Sequence, residues 1–231
     1  MAPCSHPRAR TLRTYAQPVT RARHWDDVYS SRSPTDVSWY QADAVPSLDL
    51  IAEYIPNLDS LAAIIDVGGG ESSLVDGLLA RGFTNVTVLD ASQVALSTTA
   101  QRLGDRASTV HWVCADVVEW MPTDTYALWH DRAVFHFLTE PIERTHYVTI
   151  ASAGIAGGGH LVIGTFAADG PEQCSGLPVM RYSPEDLAAV FAPSFEVVGS
   201  QREVHRTPWG APQPFTWVVL RRVPSARHQL T

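Results

Sequence analysis

Three aspartates, Asp66, Asp90 and Asp116, each stand at the end of a short apolar run, in "LAAIID", "VTVLD" and "VCAD". A carboxylate at a strand end can accept both hydroxyls of a ribose. Just beyond Asp66 come Gly68, Gly69 and Gly70. Glycines between a strand and a helix let the turn tighten and let a ligand touch the backbone. The following helix N-terminus adds partial positive charge and free N–H groups. The plainer alternative is a turn and nothing more. A second group of reactive side chains stands in "WHDRAVFHFL", where His130, Asp131 and His136 could attract an ammonium or phenol or take its proton. The competing structural roles are a pairing of Asp131 with Arg132, a helix cap by Asp131, and a core histidine at position 136.

These residues need a frame, and the chain supplies an alternation of short apolar strands and amphipathic helices. "SLDLIAEYI" reads as a helix stopped by Pro56, with Leu48, Ile51, Ala52 and Ile55 on one face. "LAAIIDV" is a buried strand and "SSLVDGLLARG" a helix. "VTVLD" is a second strand, and the helix "SQVALSTTAQRLG" has Ser92 as N-cap and Gly104 past its end. "STVHWVCAD" and "YALWHD" are the third and fourth strands. Helix-like stretches follow over 132–138 and 142–155, and then a fifth strand, "GGGHLVIGTFA". "SPEDLAAVF" carries a serine cap with proline at the first helical position. "FEVVGSQREVH" and "FTWVVLRR" read as an antiparallel pair. Such a pattern implies an α/β fold, a doubly wound, mostly parallel sheet covered on both faces. Three acids at consecutive strand ends would all line its carboxyl edge. The one long irregular segment, 167–182, is a candidate functional loop.

Composition narrows the chemistry. The chain has 231 residues, with 45% hydrophobic and 18% charged, and a formal net charge of -7. That charge argues against a nucleic-acid binder working through bulk electrostatics. No apolar run approaches the roughly 18 residues of a membrane helix. There is no lysine at all, which excludes a P-loop lysine, a lysine Schiff base and a Tyr-x-x-x-Lys pair. Cys4, Cys114 and Cys174 give neither a disulfide framework nor a zinc pattern, so no metal is expected and a reducing, cytoplasmic setting is. Cys114, within a strand, is expected to be a small core residue. Residues 1–23 hold five arginines and no acid and read as a disordered basic extension, or alternatively as an organellar transit peptide. Residues 24–231 then form one domain. Trp25, Tyr29, Trp39 and Tyr40 could form a lid that excludes water, or could only pin an N-terminal segment to the sheet.

"IIDVGGGESS", "VTVLDAS", "VCADVVEW" and "YALWHD", in that order, resemble the motifs of class I S-adenosylmethionine-dependent methyltransferases over residues 45–222. The resemblance implies a seven-stranded Rossmann-like sheet ending in an antiparallel edge strand, with S-adenosylmethionine as cofactor. It implies that Asp66, Gly68 and Gly70 position the methionine end, and that Asp90 binds the ribose hydroxyls with Ala91 and Ser92 beside the adenine. Asp116 would meet the adenine amino group, Val117 would pack on the ring, and the loop from His130 to Arg132 would lie near the sulfonium. "DRAVFHFLTE" and the segment from His24 to Gln41 are similar to an uncharacterised bacterial subgroup of the family. The opening of that segment also resembles eukaryotic protein-lysine methyltransferases over about twenty residues.

The acceptor is then a small molecule or a protein side chain, with no nucleic acid or membrane partner expected and the oligomeric state open. A nicotinamide-dependent oxidoreductase is a rival, permitted by the glycine turn and Asp90. It is opposed by Ser73 at the third position of G-x-G-x-x-G and by the missing lysine pair. A non-catalytic domain on the same fold is a third reading, opposed by the intact set of acids.

Overall fold

The structure is a computed structural model and describes residues 20–224; the greater part of the basic N-terminal stretch lies outside them. The part that is described departs from the sequence reading. Arg21 and Arg23, assigned above to the extension, belong to α1 (Arg21–Ser31), whose N-cap Thr20 accepts a hydrogen bond from the Arg23 N–H. The polar, aromatic-spaced sequence carries no stripe that would mark this helix from periodicity alone.

Helix α2 (Val45–Tyr54) leads into β1 (Ile64–Val67), α3 (Leu74–Ala80), β2 (Val86–Asp90), α4 (Gln93–Leu103) and β3 (Val110–Cys114). The cap expected for α4 is present: Ser92 Oγ accepts from the Ala95 N–H at 3.1 Å, and Gly104 takes a positive φ of 58° just past the last turn. Next come β4 (Tyr126–Arg132), α5 (Pro141–Gly154) and β5 (Ile155–Phe166). The helix expected over 132–138 does not form. Arg132 still belongs to β4, Ala133 has φ 70°, and only a single 3-10 turn, Phe135–Phe137, follows. A left-handed residue directly after a strand interrupts any helix there. The long irregular segment holds a small hairpin, β6 (Gln173–Cys174) and β7 (Leu177–Pro178). Helix α6 (Pro184–Phe191), capped by Ser183, precedes β8 (Phe195–Arg206) and β9 (Pro212–Arg222).

Seven strands make one sheet in the order β3-β2-β1-β4-β5-β9-β8. The first five run parallel, and β9 pairs antiparallel with both β5 and β8, closing one side with an antiparallel pair. Side chains divide with the two-residue period of a strand. Ile64, Val88, Leu128 and Val162 pack with Leu48, Ile51, Leu74 and Leu78 on one face. Ile65, Leu89, Trp129 and Ile163 pack with Tyr147, Ile150, Leu187 and Phe191 on the other. This division fixes where each polar residue of the central strands must point. Cys114, expected in the core, is exposed at the end of β3.

Candidate functional site

A cleft runs along the carboxyl ends of β3, β2, β1 and β4 and contains about 1090 Å³ of atom-free space, part of it open to solvent. Asp66, Asp90 and Asp116 all line it, with Gly68, Ala91, Val117, His130 and Trp25. The tips of neighbouring parallel strands therefore bring the three acids together, as their spacing requires. Of the other residues expected at a cofactor site, Gly70 abuts the cleft from the glycine turn, and Ser92 is buried as the cap of α4.

The glycine turn serves the protein's own packing. A Cβ at Gly68 would lie 1.9 Å from Val134 Cγ2, one at Gly69 would lie 2.6 Å from Asp66 Oδ2, and one at Gly70 would lie 2.7 Å from Asp90 Oδ2. Gly68 also holds φ +68°, where a side chain is strained. The N–H groups of Gly68 and Gly69 donate to the Leu89 carbonyl at 2.7 and 3.2 Å, and that of Gly70 donates to Asp90 Oδ2 at 3.0 Å. The turn is thus stitched to β2 and leaves the side chains of Asp66 and Asp90 facing the cleft. Asp90 also accepts the Ser92 N–H through Oδ1 at 2.8 Å. Burial raises its pKa to about 7, against the pull of these two N–H donors.

Asp66 and His130 are register partners on β1 and β4. His130 Nδ1 lies 2.7 Å from Asp66 Oδ1, and Nε2 lies 2.8 Å from Ser47 Oγ on α2. Both ring nitrogens are spent on a buried chain of hydrogen bonds. Asp66 Oδ2 has no partner among the described residues, so one buried acceptor remains for a donor from outside.

Helix α1 forms the roof. Trp25, Tyr29 and Trp39 line the cleft; Trp25 packs edge-on against Trp39 and Phe137, with ring centroids 6.0 and 5.1 Å apart. Tyr40 does not share in this and sits at a separate shallow surface. Polar contacts fasten the helix to the start of α4 and to the residues after β3. Asp26 Oδ1 accepts from Ser92 Oγ at 2.6 Å and from the Val94 N–H at 3.2 Å, at the start of α4. Arg21 donates to Asp116 Oδ2 at 3.0 Å and to Glu143 on α5. The other Asp116 oxygen accepts the Val118 N–H. Each carboxylate oxygen keeps a further lone pair for a ligand. Sequence reasoning missed Arg21 and Asp26. Arg21 lay in a stretch read as a basic extension, and the aromatic residues around Asp26 signalled packing without marking the acid itself.

The two residues expected to be catalytic lie elsewhere. Asp131 alternates with His130 along β4 and so points to the opposite face of the sheet. There it is fully buried, accepting the Val134 and Phe135 N–H groups and the Tyr147 hydroxyl, the last at 2.6 Å. Burial raises its pKa to about 6. Its work is to hold the turn after β4, close to the capping role weighed above. His136 is fully buried between Phe137 and Phe166, and Nδ1 accepts the Phe166 N–H at 3.5 Å. Burial, then the charge of Arg132, lower its pKa to about 3, so it is neutral. Neither side chain lines the cleft. Cys174, from the β6–β7 hairpin, does, but burial pushes its thiol up to about 11, away from reactivity. Among the described residues no cluster suits a metal ion, and no helix is long and apolar enough to cross a membrane.

No protein-family model matches the chain, and no curated protein is similar to it in sequence. Solved structures are similar in fold. A SAM-dependent methyltransferase from Anabaena variabilis superposes with a TM-score of 0.68 at 18% identity, over 88% of this chain and 96% of that one. The N-methyltransferase NodS from Bradyrhizobium japonicum, in complex with S-adenosylhomocysteine, gives 0.66 at 14% identity, over 85% and 97%. The 1,6-didemethyltoxoflavin-N1-methyltransferase from Burkholderia thailandensis gives 0.63 at 20% identity, over 87% and 84%. With its strand order, its reversed β9 and its acid-lined cleft, the chain has the fold of the class I S-adenosylmethionine-dependent methyltransferases.

Proposed function

We propose that the protein is an S-adenosylmethionine-dependent methyltransferase acting on a small molecule. The observation that carries this reading is the convergence of Asp66, Asp90 and Asp116 on one cleft beside the three-glycine turn, in this fold. The residues present fit the cofactor. Asp90 faces the cleft between Gly70 and Ala91 and is the acceptor for ribose hydroxyls. The unpartnered Oδ2 of Asp66 suits an ammonium at the methionine end. Asp116 and Val117 offer an acceptor and an apolar surface for adenine.

When bound, S-adenosylmethionine supplies an electrophilic methyl on a sulfonium. The chain's own part is to hold the acceptor in line and keep water out. Orientation of that kind can supply up to about 7–11 kcal/mol of a barrier. The aromatic roof of Trp25, Tyr29 and Trp39 excludes water. Because Asp131 and His136 are buried away from the cleft, the reading needs no general base from either; the acceptor is one that arrives ready to attack. A roof closed by α1 favours a small acceptor over a folded protein's lysine. Similarity to the N-methyltransferases above is consistent with a nitrogen acceptor.

A nicotinamide cofactor is disfavoured by the turn. Its pyrophosphate needs free N–H groups, whereas those of Gly68, Gly69 and Gly70 are all taken within the protein and Glu71 lines the same wall. The test is to incubate the protein with methyl-labelled cofactor and cell extract, then separate large from small products. Label in a low-molecular-weight product supports the reading. Label only in protein moves the acceptor to a side chain, and no transfer in any fraction counts against an enzyme.

A further inference from the structure

Arg132 is the last residue of β4 and shares the cleft-facing side of that strand with His130. Its guanidinium lies over the Phe215 ring, 4.8 Å from the centroid, and Nη1 donates to the Trp39 carbonyl at 3.1 Å. Nε and Nη2 are buried with no hydrogen-bond partner among the described residues. Among the described residues no carboxylate forms an ion pair with it. Asp66 is held by His130, and the two oxygens of Glu203 accept from Trp217 Nε1 and Gln41 Nε2. Burial first, and then the charge of Arg132, lower the pKa values of His136 and His205. The result is a half-buried cation whose buried and unsatisfied edge, Nε with Nη2, is the parallel two-donor fork that matches a carboxylate. Leaving such an edge unpaired is costly, and a ligand that completes it recovers that cost.

Resting on the methyltransferase reading above, we infer that Arg132 anchors a carboxylate, or a similar planar two-oxygen anion, of the methyl acceptor. Position in the sheet separates this subsite from the cofactor's. The acids assigned to adenine, ribose and methionine follow β3, β2 and β1 in order, and Arg132 stands one strand further, on β4. Trp39 and Cys174 of the cleft wall flank it, from the segment after α1 and from the β6–β7 hairpin. The anionic group of the acceptor is therefore seated between an aromatic wall and the hairpin. Arg132 acts as a specificity residue and takes no part in bond making.

The experiment uses the full chain saturated with S-adenosylhomocysteine, with formate and benzoate as probes. Sodium formate is expected to raise the Tm of this complex above the effect of sodium chloride at equal ionic strength. Calorimetry is expected to show benzoate binding and no comparable binding of benzamide. Arg132→Met should abolish both effects, and Arg132→Lys, which keeps the charge without the fork, should weaken benzoate by about tenfold. Affinity for S-adenosylhomocysteine should be unchanged in both variants. The Arg132→Met protein without ligand should melt no lower than wild type, a result that a purely structural arginine would not give. Equal behaviour of formate and chloride, together with equal behaviour of benzoate and benzamide, overturns the inference. So does loss of S-adenosylhomocysteine affinity in Arg132→Lys with 5′-methylthioadenosine affinity kept, since that places the cofactor's own carboxylate on Arg132. Failure of the wild-type protein to bind S-adenosylhomocysteine at all is a separate result and counts against the methyltransferase reading itself.

Discussion

Arg21, in the first turn of α1, donates to Asp116 at 3.0 Å across 95 positions of sequence, and so ties the roof of the cleft to the end of the third strand. The pair is partly exposed, with side chains 31% and 18% accessible, so its own contribution to stability is small, under about 1 kcal/mol. Its value lies in where it sits, at the β3 end of the cleft.

Arg21→Ala should therefore leave the unfolding free energy almost unchanged while speeding ligand release. The tryptophans of the roof give a fluorescence signal for that step. Stopped-flow release of S-adenosylhomocysteine is expected to be faster in the variant. An identical release rate would mean that α1 is not held by this contact.

Asp131→Ala tests the structural role of the buried carboxylate. The substitution strands the Val134 and Phe135 N–H groups and the Tyr147 hydroxyl without an acceptor. A loss of about 3 kcal/mol or more is expected in urea unfolding. Wild-type stability with lost turnover would instead return Asp131 to a catalytic role.

The protonation of Asp90 makes binding depend on pH. Burial raises its folded pKa to about 7 from an ordinary 3.8, so the folded protein holds this proton more tightly than the unfolded chain. The associated stability is fully present below about pH 4 and is lost as pH rises through 7. Asp131 acts in the same sense, up to about 6. Ribose hydroxyls favour the ionised form of Asp90. Affinity for S-adenosylhomocysteine should then rise by up to about tenfold per pH unit below 7 and level off above it. Calorimetry in buffers of different ionisation enthalpy should show a proton released on binding near pH 6. A flat profile would contradict the assignment.

Gly70→Ala should lower affinity more than stability. Its Cβ would press on Asp90 Oδ2 at 2.7 Å and on the Tyr29 hydroxyl at 3.1 Å, disturbing the proposed ribose acceptor and the roof together. Binding in the variant equal to wild type would show that the turn yields without moving Asp90.

Much of this site was legible in the residues alone. Acids that end apolar runs must fall at strand tips, and parallel strands place their tips on one edge, so Asp66, Asp90 and Asp116 could be brought together before any coordinates. Ser92 and Gly104 marked the ends of α4 by their capping chemistry. What the sequence hid is informative too. Asp131 and His130 are adjacent in the chain, yet strand alternation sends them to opposite faces, and only the partners across the sheet reveal which one meets the cleft. The stretch 132–138 reads as helix-like, but β4 continues through Arg132 and Ala133 turns left-handed. Arg21 and Asp26 matter through contacts made 95 and 66 residues away, which no local pattern encodes.

The most direct test is a calorimetric titration of the wild-type protein and of Asp90→Ala with S-adenosylhomocysteine at pH 8. Saturable one-site binding to the wild type, weakened by about tenfold or more in the variant, is the predicted result. No heat of binding to the wild type, or equal affinity in the two proteins, would contradict the placement of a sulfonium nucleoside in this cleft.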